Sequence, residues 1–185
     1  GEAERLPPLH DIQTNWDTPI EPSQDLIDAR TAFGAMNPIV DAPVIPEGAN
    51  ARWPGTGGRL VSEVQEEAEF DPETQKSAKA APYPNIETLV VSVSPADAYA
   101  AAKTAVTSAG MEIVTDNPDA GQLEATATTG WFGFKDDVMV RITPAADTDG
   151  ALVDVRSTSR VGLSDLGENA KRIRNLLNEI ERLVN

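Results

Sequence analysis

The sequence predicts an α+β fold. The expected form is a two-layer sandwich, an antiparallel sheet of about five strands in the order β-α-β-β-β-β-α with two helices on one face, preceded by a Pro-rich extended arm. Three observations predict it. Val-rich segments with apolar residues at every second position recur between Thr88 and Ser159, joined by short Asp/Asn/Gly/Pro turns. A C-terminal stretch of about twenty residues has apolar residues at steps of three and four. And 11 of the 14 prolines fall within residues 1–85, where they break helices and withhold sheet donors.

The chain therefore divides near Asn85: residues 1–85 as an arm with short helices, packed on or wrapping the core, and 86–185 as the α+β core domain. Residues 1–85 hold 15 acidic and 6 basic residues, against 15 and 9 in the remainder. Within the arm, Leu60 to Glu69 fits a helix with Leu60, Val64 and Ala68 on one face. A second is expected from Asp71-Pro72, a cap followed by proline in the first turn, to about Lys79. The stretch 36–58 is the most linker-like, ending in Trp53-Pro54-Gly55-Thr56-Gly57-Gly58.

In the second half, Thr88 to Val93 is the first strand. Ser94-Pro95-Ala96-Asp97 opens a helix with a cap, a preset first turn and an acid near the positive helix end. It closes at Gly110, and Ala98, Ala101, Ala102, Ala105 and Ala109 give it a low-bulk face for close approach to a sheet. Met111 to Thr115, Gln122 to Thr129, Asp137 to Thr143 and Ala151 to Ser159 follow as strands, with connections short enough for hairpins. In the last helix Asp165 is placed as cap with Glu168 three residues on; Leu166, Ala170, Ile173, Leu176, Leu177, Ile180, Leu183 and Val184 form its stripe.

Strand alternation puts Val138, Val140, Ile142, Val153 and Val155 toward the helices and Arg141, Asp154 and Arg156 on the other face. A turn centred on Asp147-Thr148 sets Arg141 opposite Asp154. Leu6, Leu9, Ile12, Trp16 and Ile20 are apolar arm residues available to cover that charged face.

Composition excludes several functions. There is no cysteine, hence no disulfide or thiolate metal site. The net charge of −15 repels nucleic acid and anionic lipid. No apolar run approaches about 18 residues, as a membrane span requires. A single histidine, His10, leaves metal chemistry without its usual ligands. Ser157, Ser159 and Ser164 lack a nearby histidine or a nucleophile turn. Gly55-x-Gly57-Gly58 lacks the preceding strand and lysine of a phosphate loop. Neither cofactor nor metal is expected, and the reading leans away from an enzyme. The chain opens with Gly1, which suggests a trimmed start.

Three segments together, Glu124 to Asp137 (EATATTGWFGFKDD), Asp154 to Gly162 (DVRSTSRVG) and Ser164 to Ile173 (SDLGENAKRI), with Leu6 to Thr14 (LPPLHDIQT), resemble the domain of unknown function 1499 family. The likeness covers about 80–185 and 6–30; residues 37–70 depart from it and read as an insertion. The family is uncharacterised, so the resemblance implies no reaction. Its longer members carry hydrophobic helices ahead of this domain. With the Gly1 start, this implies a bacterial cell-envelope protein on the periplasmic side of the inner membrane, touching membrane only through a segment outside this sequence.

The candidate ligand site is the Arg/Ser/Asn corner of Arg141, Arg156, Ser157, Ser159, Arg160, Asn169 and Arg172. Trp131 and Phe134 would form an apolar wall, and the helix after Ser164 would lend its N-terminus to an anionic or amphipathic ligand. The competing reading makes these arginines partners of Asp136, Asp137, Asp154 and Asp165 in a structural corner. A third uses Asp136, Asp137 or Asp154 as acid or base of a hydrolase, although adjacent strand residues point to opposite faces. His10, Asp11 and Thr14 are expected to dock the arm. Trp131, Phe132 and Phe134 are expected to fold back on the core or arm, since exposed aromatics form a costly patch. The partner is an unknown protein or a small anionic or amphipathic ligand, and not nucleic acid.

Overall fold

The computed structural model describes residues 6–67, 70–71, 76–77, 86–130, 132–165 and 167–185. Eight strands are present among them: β1 Asp11–Gln13, β2 Phe70–Asp71, β3 Lys76–Ser77, β4 Leu89–Val91, β5 Glu112–Asn117, β6 Gln122–Thr128, β7 Lys135–Pro144 and β8 Ala151–Ser159. The helices are α1 Gln24–Phe33, α2 Val61–Glu66, α3 Pro95–Ser108 and α4 Glu168–Val184, with a 3-10 turn at Glu47–Ala51. The class is α+β as expected. The sheet has six antiparallel strands rather than five, in the order β1-β8-β7-β6-β5, with β4 also on β8.

The sixth strand comes from the arm. β8 pairs with β7 along one side for its whole length. Its other side is shared: β4 covers Ala151–Val153 and β1 covers Arg156–Thr158. Thr14 bridges the gap, donating its N–H to Val155 O at 3.0 Å and accepting from Val155 N–H at Oγ1, 3.1 Å. β8 is thus central, which a count of Val-rich segments does not show, because a three-residue Asp-Ile-Gln strand carries no periodicity of its own.

α3 and α4 pack on one face over Val138, Val140, Ile142, Val153 and Val155, all buried. Ser94 Oγ caps α3 by accepting from Asp97 N–H at 3.2 Å. Ala98, Ala101, Ala102 and Ala105 are buried beneath it, whereas Ala109 is exposed. At the β5–β6 turn only glycine fits: Gly121 has φ 63°, and a Cβ there would lie 2.1 Å from Ile142 O.

Three elements differ from expectation. α1 was unforeseen because its sequence is nearly devoid of an apolar stripe; its signals are the termini, Ser23 as N-cap and Gly34 in the left-handed conformation. The helix expected from Asp71 to about Lys79 meets strand at Asp71 and at Lys76–Ser77, which pair antiparallel with Phe70–Asp71. The rest of that stretch lies outside the described residues. α4 is capped differently. Its N-cap is Gly167, in the left-handed conformation, and Asp165 reaches in from two residues earlier.

Candidate functional site

The opposite face of the sheet is covered by 16–40, and the layer between them is charged and buried. Its centre is Arg156, on β8, with no solvent exposure. Register sets Gln13 beside Arg156 and Asp11 beside Thr158, so the Asp11 carboxylate lies diagonally next to the guanidinium. The pair is bidentate: Nε to Oδ1 at 2.9 Å and Nη2 to Oδ2 at 2.6 Å. The remaining donors go to the arm backbone, Nη1 to Ile20 O at 2.9 Å and Nη2 to Val40 O at 2.7 Å. The Trp16 ring caps the group, 5.2 Å from its carbon.

A second cluster forms around Asp137, on β7. Its carboxylate accepts from Arg160 Nε (2.8 Å) and Nη2 (2.9 Å), Arg30 Nη1 (2.5 Å) and Thr126 Oγ1 (2.8 Å). Arg30 comes from α1 and also donates to Asn37 O. Burial holds its guanidinium below its ordinary pKa despite Asp137. Asn37 Nδ2 donates to Ser159 O and Gly162 O. Further along, Asp154 accepts from Thr14 and Thr88 hydroxyls at 2.7 and 2.6 Å and from Arg141 Nη2 at 3.3 Å. Arg141 does lie opposite Asp154, and it also holds Thr18 O at 2.8 Å. Glu124 on β6 accepts from Ser23 N–H at 2.9 Å and from its hydroxyl, anchoring the start of α1.

The other predicted residues sit across the sheet, under α4. Asp136 pairs with Arg172 at 2.9 Å. Arg172 Nη1 donates to Asn169 Oδ1 at 2.9 Å and Ser157 Oγ at 3.2 Å. Asn169 donates to Ser159 Oγ at 2.9 Å, and its Oδ1 accepts from Ser157 Oγ at 2.6 Å. Asp165 accepts from Gly167 N–H (2.8 Å) and Asn169 N–H (3.0 Å). Its burial outweighs these bonds and raises its pKa to about 6, with a further small push from Asp136.

The nine residues proposed for one ligand site therefore do not converge. Arg141, Arg156 and Arg160 face the arm; Ser157 and Ser159 face α4, which carries Asn169 and Arg172; Phe134 is on the β6–β7 hairpin; and Trp131 lies outside the described residues. The sheet separates the two sets, as the period of two dictates. The carboxylates divide likewise. Asp136 is on the α4 face and Asp137 on the arm face. Asp154 sits opposite Arg141, four residues along β7 from Asp137, or about 13 Å.

Arm docking is carried by Asp11 and Thr14 as described. His10 contributes its carbonyl, which accepts from Ser159 N–H at 2.8 Å. Its Nδ1 is buried without a hydrogen-bond partner among the described residues, and burial lowers the imidazole pKa. Leu9 and Ile12 join the main core under the helices, whereas Ile20 packs with Leu26 and Met139 on the arm side.

Sequence reading missed Arg30, Ser23, Glu124, Thr126 and Gln65. Gln65 of α2 is buried, accepts from Trp16 Nε1 (2.7 Å) and donates to Gln13 O (2.8 Å), acting as a side-chain neighbour for β1. Glu124 was the one legible candidate: a carboxylate between apolar residues in a predicted strand needs a partner on its face.

A family model described as a protein of unknown function, DUF1499, matches residues 61–180. The chain belongs to the DUF1499 family. The matched span starts at α2, ahead of residue 80, and takes in 61–70, so that part of 37–70 is family sequence and not an insertion. It includes Arg156, Arg160, Asp137 and α4 as far as Ile180, but not Asp11 or Arg30. No curated protein matches the chain.

Proposed function

We propose that this DUF1499 chain is a non-enzymatic interaction module of the bacterial cell envelope, in which the Arg-Ser-x-Ser-Arg stretch of β8 is a fastener rather than a ligand pocket. One observation carries this reading: Arg156, Arg160, Arg30 and Arg172 all spend their guanidinium groups on buried carboxylates of the same chain. Two of these pairs, Asp11–Arg156 and Arg30–Asp137, join the arm to the sheet. Such a layer costs desolvation and demands one geometry, so it specifies where the arm lies and hence which outer surface the module presents. The dispersal and pairing of Asp136, Asp137 and Asp154 support the non-enzymatic side of the reading. The envelope setting rests on the family likeness.

The test compares the whole chain with Arg156→Ala and Asp11→Ala. Removing either partner strands a buried charge, which costs about 3–5 kcal/mol. A double-mutant cycle should return a coupling of the order of 2 kcal/mol, and amides of β1 should lose exchange protection before those of β6 and β7. Thermal shifts with inorganic phosphate and citrate should be equal in wild type and Arg160→Lys. A stabilisation by either anion that disappears in the variants would overturn the fastener in favour of an anion site.

A second reading has one feature in its favour. A groove of about 380 Å³ runs between the end of α3 and α4, lined by Ala105, Met111, Lys171, Arg172 and Leu176. Its lining also carries Glu168 and Glu179, so apolar wall and charges of both signs suit a zwitterionic amphipathic ligand. Lys171→Glu would abolish a thermal shift caused by such a ligand.

A further inference from the structure

The two ends of the sheet are chemically opposite. At one end the β5–β6 and β7–β8 turns expose Asp119, Asp147 and Asp149. At the other stands the β6–β7 hairpin. Contrary to the expected folding back, two of its aromatics project into solvent: Phe132 is 80% exposed and Phe134 51%; Trp131 lies outside the described residues. Their rings stack on each other, with centroids 5.7 Å apart. The hairpin is closed beneath them by Thr129, whose N–H donates to Phe134 O at 2.9 Å and whose carbonyl accepts from Gly133 N–H at 3.0 Å.

More apolar surface adjoins it. Lys135 O accepts from Arg160 N–H at 3.0 Å, and Arg160 O from Met36 N–H at 2.8 Å, which brings Met36, 78% exposed, to the same end. Phe33, packed on the Arg160 guanidinium at 5.0 Å, and Leu163 are also exposed there. Charge decides what this end can meet. In a chain of net charge −15, residues 125–135 contain no acid and one lysine. The next two residues, Asp136 and Asp137, are buried and paired with arginines. The hairpin that exposes the aromatics thus carries no acid of its own beyond its buried, paired base, while exposed acids stand on both turns at the opposite end.

We propose that the β6–β7 hairpin tip is a lipid-docking site, which inserts Phe132 and Phe134 into the interfacial layer of a zwitterionic membrane with Met36 and Phe33 at its margin. A narrow convex tip with stacked rings suits a soft interface that closes around it, where ring burial supplies the binding. The acidic remainder of the chain is repelled by anionic headgroups, so neutral lipid is preferred and the acidic end points away. Phe132 and Phe134 stand on the hairpin and not in the fastener, whereas Phe33 and Met36 at the margin rest on Arg160.

The test is sedimentation of the full chain with phosphatidylcholine vesicles, against a Phe132→Ser/Phe134→Ser double variant and a Val90→Ser control. Val90 is equally exposed surface on β4. Both aromatics lie outside the core, so the double variant keeps the wild-type melting temperature. Wild type and control should partition alike, and the double variant at least about tenfold more weakly. Adding phosphatidylglycerol should weaken binding at low salt, and salt should restore it. No wild-type binding to phosphatidylcholine, equal binding by the double variant, or tighter binding to the phosphatidylglycerol mixture would each overturn the proposal. So would self-association abolished by the double variant without vesicle binding, which would assign the tip to a second copy.

Discussion

The two faces of the sheet are built from alternate residues of the same strands, yet they are held by different physics. The helix face is sealed by Val138, Val140, Val153 and Val155 against Ile173, Leu176 and Ile180, with a buried ionic corner at Asp136–Arg172. The arm face buries Asp11, Asp137, Arg30, Arg156 and Arg160, with a small apolar cluster of Ile20, Leu26 and Met139. Apolar packing tolerates many arrangements at modest cost. A buried ion pair tolerates one, because each charge left alone carries its full desolvation penalty. The comparison teaches how a stretch too poor in apolar stripes to build its own core is nevertheless placed: its position is specified by charge.

The sharpest way to break the comparison is at Asp137. Asp137→Ala strands both Arg160 and Arg30 in a buried layer and should cost about 5 kcal/mol, the upper end for a broken buried pair, read as the shift in urea midpoint. The matching change on the other face, Ile173→Ala, removes one buried aliphatic side chain and should cost about 3 kcal/mol. A larger loss at Ile173 than at Asp137 would reverse the ranking of the two faces. Exchange protection separates them further, since Asp137→Ala should open α1 and β1 ahead of the hairpins, whereas Ile173→Ala should loosen α4.

A smaller effect concerns pH at the junction of the faces. Asp165 is raised in the folded chain from 3.8 to about 6. Its stabilising contribution is present while it is protonated, below the unfolded value, and is lost as pH rises through about 6. The loss is at most about 3 kcal/mol. Asp165→Asn removes that loss, so relative to wild type the variant should gain stability between pH 4 and 7. His10 acts in the other direction: burial lowers its pKa from 6.5, so its contribution is present above that value and declines as the imidazole of the unfolded chain becomes protonated. Denaturant melts of wild type and Asp165→Asn across this range separate the two; a difference that stays flat would mean Asp165 is ionised throughout.

Much of the core was legible. The Ser94-Pro95 start of α3, the stripe of α4, the hairpins of β6, β7 and β8 and the register that faces Arg141 with Asp154 follow from capping, turn chemistry and a period of two, all of which act over a few residues. That β8 presents its arginines and its serines to opposite faces was implicit in the same period, and it is why the corner seen along the chain is two sites in space. What could not be read was the identity of the partners. Asp11 lies 145 residues from Arg156 and Arg30 lies 107 from Asp137, and no local pattern links them.

The sequence by itself determined the strand and helix segments, their amphipathic faces and the shortage of core-forming residues before residue 86, since each depends on side-chain chemistry repeated at fixed spacing. Only the tertiary structure decided that Asp-Ile-Gln becomes a sixth strand, that the arginines of β8 are neutralised by the arm and by β7, and that Phe132 and Phe134 stand in solvent. Those outcomes depend on which distant groups meet: a buried charge is settled only by the partner the fold brings to it, and an aromatic tip is covered only if some other segment reaches it.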